Sequence, residues 1–397
     1  MKLYKGKPYW PITGDNINYK PLSKDINCDI TIIGGGIAGM ITAYRLTLEG
    51  YKVVLIEKDK IASGSSSANT GLLQFTSDIS LYQLSKQIGE KNAYLFYKMC
   101  FEAMQTFMDF STNIKQASNL HTRNSLYLAT SEEDLKLLKL EYNMLEKYGF
   151  PVKYLTKQDL KLEYNIDAFA AILTFKDAEV NPVRLIHALA QDADSKYLTI
   201  YENTEALDLK HQDSSILIKT ENGQIKSKYV VITTGYAAVA NNSNIKSDLK
   251  HTFAIATNPV QTLPWMDKSL LWETKRPYLY TRLTDDNRII AGGLDVDFNE
   301  QVLSEQNIFD QGQILLKELQ ELVPSLDTQV QYAWGAVFGE SKDNLPFIGN
   351  DGKHKNIFYN LGFGGNGTVY SMAGARIIGD LINEKSNPFV HIVKPDR

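Results

Sequence analysis

The stretch Asp29–Glu57, DITIIGGGIAGMITAYRLTLEGYKVVLIE, decides the fold class of this chain. Ile30–Ile33 is a β-branched run suited to a buried parallel strand. Gly34, Gly36 and Gly39 then follow with G-x-G-x-x-G spacing, and each has its own task. Gly34 permits a tight turn, Gly36 lets a pyrophosphate approach bare backbone, and Gly39 lets the next helix pack closely on the strand. That helix is expected from about Ile37 to Leu48, with its positive N-terminal end, at Ile37 and Ala38, facing the phosphate. Gly50 ends it, Val53–Ile56 makes a second strand, and Glu57 stands at the tip with Lys58 beside it. A carboxylate there accepts hydrogen bonds from a ribose diol and disfavours a 2′-phosphate. A lone glycine turn says little, but strand, turn, helix, strand and acid together specify a dinucleotide-binding α/β unit. They do not separate a flavin dinucleotide from a nicotinamide one.

The rest of the composition narrows the class. A chain of 397 residues, 43% hydrophobic and 22% charged, can build two globular domains. Its 42 basic and 46 acidic residues leave a net charge of −4, with no electrostatic footprint for nucleic acid or an anionic membrane. Cys28 and Cys100 lie far apart without any C-x-x-C, so neither a disulfide framework nor a metal cluster is supported, and a reducing cytoplasmic setting is expected. The six histidines form no metal-binding pattern, and no metal is expected. The opening MKLYKGKPYWPITG lacks the apolar core of a signal peptide, and no run of about 18 uncharged apolar residues suggests a membrane span.

Taken in order, residues 1–27 read as an irregular arm. The small-residue loop Ile61–Gln74 (IASGSSSANTGLLQ) offers hydroxyls and backbone donors beside the first helix. Apolar residues recur at helical spacing over Leu81–Phe110 and Glu132–Lys147, around a strand-like Ser125–Thr130. AEVNPVRLIHALA, from Ala178, reads as an extended piece, an Asn-Pro helix start and a helix. Ile216–Thr220 and Gln224–Ser227 flank a Glu-Asn-Gly turn as a hairpin, and Tyr229–Thr233 is a buried strand ending at Thr234-Gly235. Strand-like segments begin at His251, Pro277 and Asn287, and a helix is expected over Asp310–Leu322 before Pro324. Trp334 begins the final return, which ends in a second glycine turn, Gly362, Gly364, Gly365 and Gly367, opening a helix from about Thr368 to Ile382.

IIGGGIAGM with Glu57, SGSSSANTGLLQ, AEVNPVRLIHAL, YVVITTG, WGAVFGESKDNLPFIG and LGFGGNGTVYSMAGA, in this order, resemble FAD-dependent oxidoreductases of the D-amino acid oxidase and glycine oxidase type. Within them the chain is most similar to the bacterial amine-oxidase-like branch, with members resembling γ-glutamylputrescine oxidoreductases. The resemblance implies an α/β fold, with a Rossmann-like, glutathione-reductase-type FAD-binding domain and a second substrate domain of antiparallel sheet plus helices. The expected limits are 1–27 for the arm, 28–80, 166–250 and 332–397 for the FAD domain, and 81–165 with 251–331 for the substrate domain.

The resemblance further implies the pyrophosphate on Gly34–Gly39, the ribose on Glu57, and adenine near Thr204, Glu205 and Ala206. Ser63, Ser65, Ser66, Asn69, Thr70, Gly71 and Leu72 would run along the ribityl chain, and Thr234-Gly235 would close over the adenosine half. Gly362, Gly364, Gly365, Asn366, Gly367 and Thr368 would lie under flavin N1 and the C2 carbonyl. Relatives that attach FAD covalently use a histidine in the serine-rich loop or a cysteine before the last glycine motif. This chain offers Ala68 and no cysteine there, which implies non-covalent FAD.

The reaction implied is hydride transfer from the carbon bearing an amine to flavin N5, giving an imine that water hydrolyses. Oxygen or another acceptor would take the electrons. In glycine-oxidase-like members a tyrosine and an arginine grip the substrate carboxylate, and YLYTR matches their Y-x-x-x-R strand at Tyr278 and Arg282. Phe338 stands where the carboxylate-binding arginine would be, with Glu340 two residues on. Phenylalanine cannot replace a bidentate guanidinium–carboxylate pair. A hydrophobic or cationic amine, held by Tyr278, Trp334, Phe338 and Phe363 and by Glu340, is therefore expected over a simple α-amino acid. The alternative for these aromatics is packed core. Two other readings stand beside this one: an electron-transfer enzyme related to Rieske-domain proteins, although no Cys-x-His pair follows residue 382, and a flavin- or nucleotide-binding protein without turnover.

Overall fold

The computed structural model describes residues 3–397 apart from 16, 115–117, 194, 213, 239–244, 246, 300 and 301, and the side chains of 111 and 113. Two sheets organise these residues. In the first, Ile26–Ile33 pairs in parallel with Val53–Ile56 and with Gln224–Ile232. Leu198–Tyr201 and Ile357–Leu361 extend the parallel run on either side, and Phe347–Asn350 adds an antiparallel edge. Both faces are covered, so the strands read as continuous apolar runs rather than as an alternation. On one face the helix Ile37–Leu48 packs between Gly367–Ile382 and Pro182–Asp192, burying Met40, Ile41 and Leu46. On the other, Val54 and Ile56 meet Ile216 and Ile218 of the hairpin that Ser215–Lys219 makes with Gln224–Ile232.

The second sheet has ten strands and is largely antiparallel. Its centre runs from Val330–Ser341 through Ser247–Thr257, Ile289–Asp297, Tyr280–Leu283 and Leu270–Glu273 to His121–Ala129 and Ala170–Glu179. The helix Glu305–Leu322 lies on one face, where Leu315 and Leu319 join Phe253, Ile255 and Leu283. Its start is capped by Ser304, whose side chain accepts from Asn307 N.

Three features differ from the sequence reading. The arm is not wholly irregular: its residues Tyr4–Gly6 pair antiparallel with Trp334–Ala336. Its partner lies at the far end of the chain, where no local pattern points. The helical stretch from Leu81 divides at Gly89, whose φ of +82° separates Leu81–Ile88 from Glu90–Asn113. Finally, Ala170–Glu179 and most of Val330–Ser341, expected with the dinucleotide unit, pair within the second sheet, and the chain returns to the first at Leu198 and again at Phe347.

Candidate active site

The first glycine turn is packed as tightly as its spacing requires. A Cβ on Gly39 would lie 1.9 Å from the Gly34 carbonyl oxygen and 2.8 Å from Thr233 Oγ1, so only glycine lets the helix sit on the strand. Gly34 has φ +116°, and its carbonyl accepts from the Thr233 hydroxyl at 3.0 Å. Ile37 N donates to Ser66 Oγ at 3.0 Å, which brings the serine loop to the helix start. Glu57 accepts from Gly35 N at 2.7 Å and from Asp59 N at 3.0 Å, and its backbone carbonyl accepts from Thr204 N at 2.8 Å. Ala206 and the exposed Glu205 therefore follow directly beside Glu57. Lys58 and Ser63 are exposed on the same rim.

The second glycine turn lies against the serine loop. Asn69 Nδ2 donates to Thr368 Oγ1 at 3.4 Å, and the Asn69 side chain accepts from Gly71 N at 2.6 Å. Asn366 Nδ2 donates to the carbonyls of Gln74 and Thr76, at 2.7 and 3.0 Å. An inner chamber of about 140 Å³ opens here, lined on this side by Ser65, Asn69, Thr70, Leu72, Gly364, Gly365 and Asn366. Its far side is aromatic, with Tyr236, Trp272, Tyr278, Tyr280 and Phe338. An outer chamber of about 760 Å³ continues from it, reaching Gln83, Glu141, Lys250, Arg276 and Glu340.

Asp78, Tyr278 and Asp295 line both chambers. Asp78 accepts from Gly365 N at 2.6 Å and from the Tyr278 hydroxyl at 3.0 Å, and so joins the glycine turn to the aromatic wall. It lies deep in the fold while keeping part of its surface open to the chambers, and burial raises its carboxyl above the ordinary range against those bonds and the nearby Arg276. Burial likewise raises Asp295; a hydrogen bond from Thr252 opposes this, and Glu340 and Asp78 add like-charge repulsion. Among the described residues no group of three or more His, Cys, Asp or Glu could hold a metal ion, and no helix is long and apolar enough to cross a membrane.

Residues 29–381 match the family described as FAD dependent oxidoreductase. The chain belongs to that family. Its cofactor is FAD, and its chemistry is FAD-dependent oxidation of the C–N bond of an amine or amino acid. The chain is 25% identical to the putative Rieske 2Fe-2S iron-sulfur protein YhfW of Bacillus subtilis (strain 168), over 98% of this chain and 75% of that one. It is 24% identical to γ-glutamylputrescine oxidoreductase of Escherichia coli (strain K12), over 94% of this chain and 87% of that one. In architecture it is similar to the crystal structure of glycine oxidase from Geobacillus kaustophilus, with a TM-score of 0.79 at 22% identity, covering 94% and 99% of the two chains.

Several features of the chain fit FAD. In the helices Ile37–Leu48 and Gly367–Ile382 no N-cap side chain accepts from the first turn, which leaves first-turn backbone donors other than Ile37 N for an anion. A Cβ on Gly36 would meet only Ser66 Oγ, and one on Gly235, at φ +55°, nothing within 4 Å. Among the polar atoms of the inner chamber's lining residues that are buried without a partner are Gln74 Nε2 and Thr76 Oγ1.

On the substrate side the expected residues separate. Tyr278 and Phe338 line the inner chamber. Arg282 does not reach it. Its guanidinium donates to the carbonyls of Thr70 and Val180, both at 2.8 Å, pairs with Glu179 at 3.2 Å, and lies over the Trp10 ring. That set of partners clamps the Thr70-Gly71 backbone instead of meeting a substrate carboxylate. Glu340 is at the outer chamber and already paired with Lys250 at 2.7 Å. Trp334 and Phe363 are core: the Trp334 indole donates to the Ala68 carbonyl at 2.9 Å, and Phe363 stacks on Tyr236. Asp78, Trp272, Tyr280 and Asp295 escaped the sequence reading. Only Tyr280 had a local signal, as the second tyrosine of YLYTR.

Proposed function

We propose that the substrate is an amine without an α-carboxylate, placing the chain in the amine-oxidising branch of its family. What supports this is the charge of the inner chamber. Among the described residues its lining holds two aspartates and no arginine, lysine or histidine. A carboxylate brought there would lose its hydration without a guanidinium or ammonium to replace it. Phe338 is the matching substitution, and with Tyr278, Tyr280 and Trp272 it offers apolar and aromatic surface to an alkyl amine.

FAD, when bound, supplies the acceptor for the hydride leaving the carbon next to nitrogen, and the resulting imine is hydrolysed by water. The remaining work belongs to the chain. Gly34–Ala38 and Glu57 would hold the adenosine diphosphate half, while Ser65–Leu72 and Gly364–Thr368 would hold the flavin half. The aromatic wall orients the reacting C–H and excludes water from it. Attachment is non-covalent, since Ala68 occupies the serine loop and Cys28 and Cys100 belong to the strand Ile26–Ile33 and the helix Glu90–Asn113. Acid precipitation should leave the flavin in the supernatant; a yellow pellet contradicts it. The function itself is tested by an anaerobic screen of amines and amino acids, read as loss of the visible flavin band. Bleaching by primary amines is expected, and bleaching by α-amino acids alone overturns the reading.

A further inference from the structure

The two aspartates that support the amine reading stand at one place, the junction between the chambers. Asp78, Asp295 and Tyr278 are the residues common to both linings, so any molecule occupying both chambers passes two carboxylates and an aromatic ring. The cations in the neighbourhood, Arg276 and Lys250, ease the charge of Asp78 and Asp295 respectively without pairing with either carboxylate. Lys250 is paired with Glu340 at 2.7 Å, while Arg276 donates to the Asp78 backbone carbonyl at 2.9 Å and lies 4.6 Å from the centre of the Tyr278 ring. Neither aspartate makes an ion pair among the described residues. The inner chamber also has unmet polar demand. Trp272, 6% exposed, is one of its lining residues, and its buried indole N–H has no partner among the described residues.

Charge logic separates two nitrogens. An amine can lose hydride from its α-carbon only when its nitrogen is uncharged, because the lone pair must assist. Two adjacent carboxylates do the opposite and hold a nearby amine protonated. The junction is therefore unsuited to the reacting nitrogen and suited to one that stays charged. Beyond it, among Tyr236, Trp272, Tyr280 and Phe338, no titratable group but tyrosine meets the reacting end.

We propose that Asp78 and Asp295 form a subsite for a second, non-reacting ammonium group, so that the preferred substrates are diamines whose other nitrogen is oxidised in the inner chamber. The subsite rests on the reading of the chain as an amine-oxidising enzyme. Asp295 determines specificity within it. Asp78 additionally positions the glycine turn through Gly365 N.

The test uses the FAD-loaded full chain with straight-chain α,ω-diamines of increasing length and monoamines matched to them. Wild-type kcat/KM should favour the best diamine over its monoamine by about tenfold or more, the worth of one charged contact. Asp295→Asn should raise the diamine KM about tenfold more than it raises the monoamine KM, without a matching fall in either kcat. Its flavin content and visible spectrum check that fold and cofactor are kept. If the variant does not fold, the wild-type series decides alone. Absence of a diamine preference overturns the subsite. So does an equal fall in kcat for both amines with a displaced pH profile, which would make Asp295 a proton acceptor for the reacting nitrogen. If monoamines reduce the flavin as well as diamines do, only the subsite falls; if no amine reduces it, the amine reading falls with it.

Discussion

The two ends of the site are built on different principles. At the adenosine end one short run of chain makes the geometry with its backbone. Gly34 turns, Gly39 touches the Gly34 carbonyl, and Glu57 accepts from Gly35 N across a span of 22 residues. At the substrate end the walls come from Asp78, from Trp272–Tyr280, from Asp295 and from Phe338, each on a different segment, and side chains do the work. A site made of backbone restricts residue type at fixed local spacing. A site made of side chains restricts only combinations of distant positions.

The contrast can be broken most forcefully at Gly39. Valine there would drive its Cβ into a carbonyl oxygen 1.9 Å away, and neither strand nor helix can move without opening the sheet. Gly39→Val should abolish FAD retention in purified protein, read as the flavin-to-protein absorbance ratio. A yellow, folded variant would mean that the close approach is not what the turn requires. The next largest effect lies between the two ends, at Arg282. Its removal leaves the buried Glu179 with Arg123 alone and releases the Thr70 and Val180 carbonyls, so Arg282→Ala should cost about 1–3 kcal/mol in urea unfolding. If it kept full stability and lost turnover, Arg282 would belong to the chemistry after all.

Phe338→Arg sharpens the comparison from the other side. A guanidinium in the inner chamber restores a partner for a carboxylate, and anaerobic flavin reduction by a small α-amino acid should rise by about tenfold or more. No change would mean that Phe338 does not face the substrate. The smallest effect is on pH. Burial pushes the Glu141 carboxyl up to about 7 and that of Asp177 to about 6. Both folded-state values lie above the ordinary ones, so the folded protein binds the extra protons. The stability this contributes is complete below the unfolded values and is lost as pH rises through about 7. Tm should therefore fall between about pH 5 and pH 8, and Glu141→Gln should flatten that slope. A Tm that climbs over this range contradicts the assignment.

The same contrast explains how much of the molecule is legible in its sequence. The helix Ile37–Leu48 and the strand Val53–Ile56 keep their expected limits because glycine spacing and a buried parallel run are local signals. The arm's strand Tyr4–Gly6 was missed because its partner, Trp334–Ala336, is remote in sequence. Arg282 misled for a related reason. In YLYTR it lies two residues beyond Tyr280, with its side chain on the same side of the strand, yet Glu179 and the Thr70 and Val180 carbonyls hold it away from the chamber. Asp78 and Asp295 carry no motif at all. Their meaning appears only when a loop and a strand bring them to the same junction.

The central claim is that the chamber rejects a carboxylate and accepts the amine that lacks it. Its most direct test is anaerobic flavin reduction by a primary alkyl amine and by the α-amino acid that carries the same side chain, each at saturating concentration. Reduction by the amine, with at most slow reduction by the amino acid, is the expected result. Faster reduction by the amino acid would show that a carboxylate is welcome in a chamber lined by Asp78, Asp295 and Phe338, and would contradict the claim.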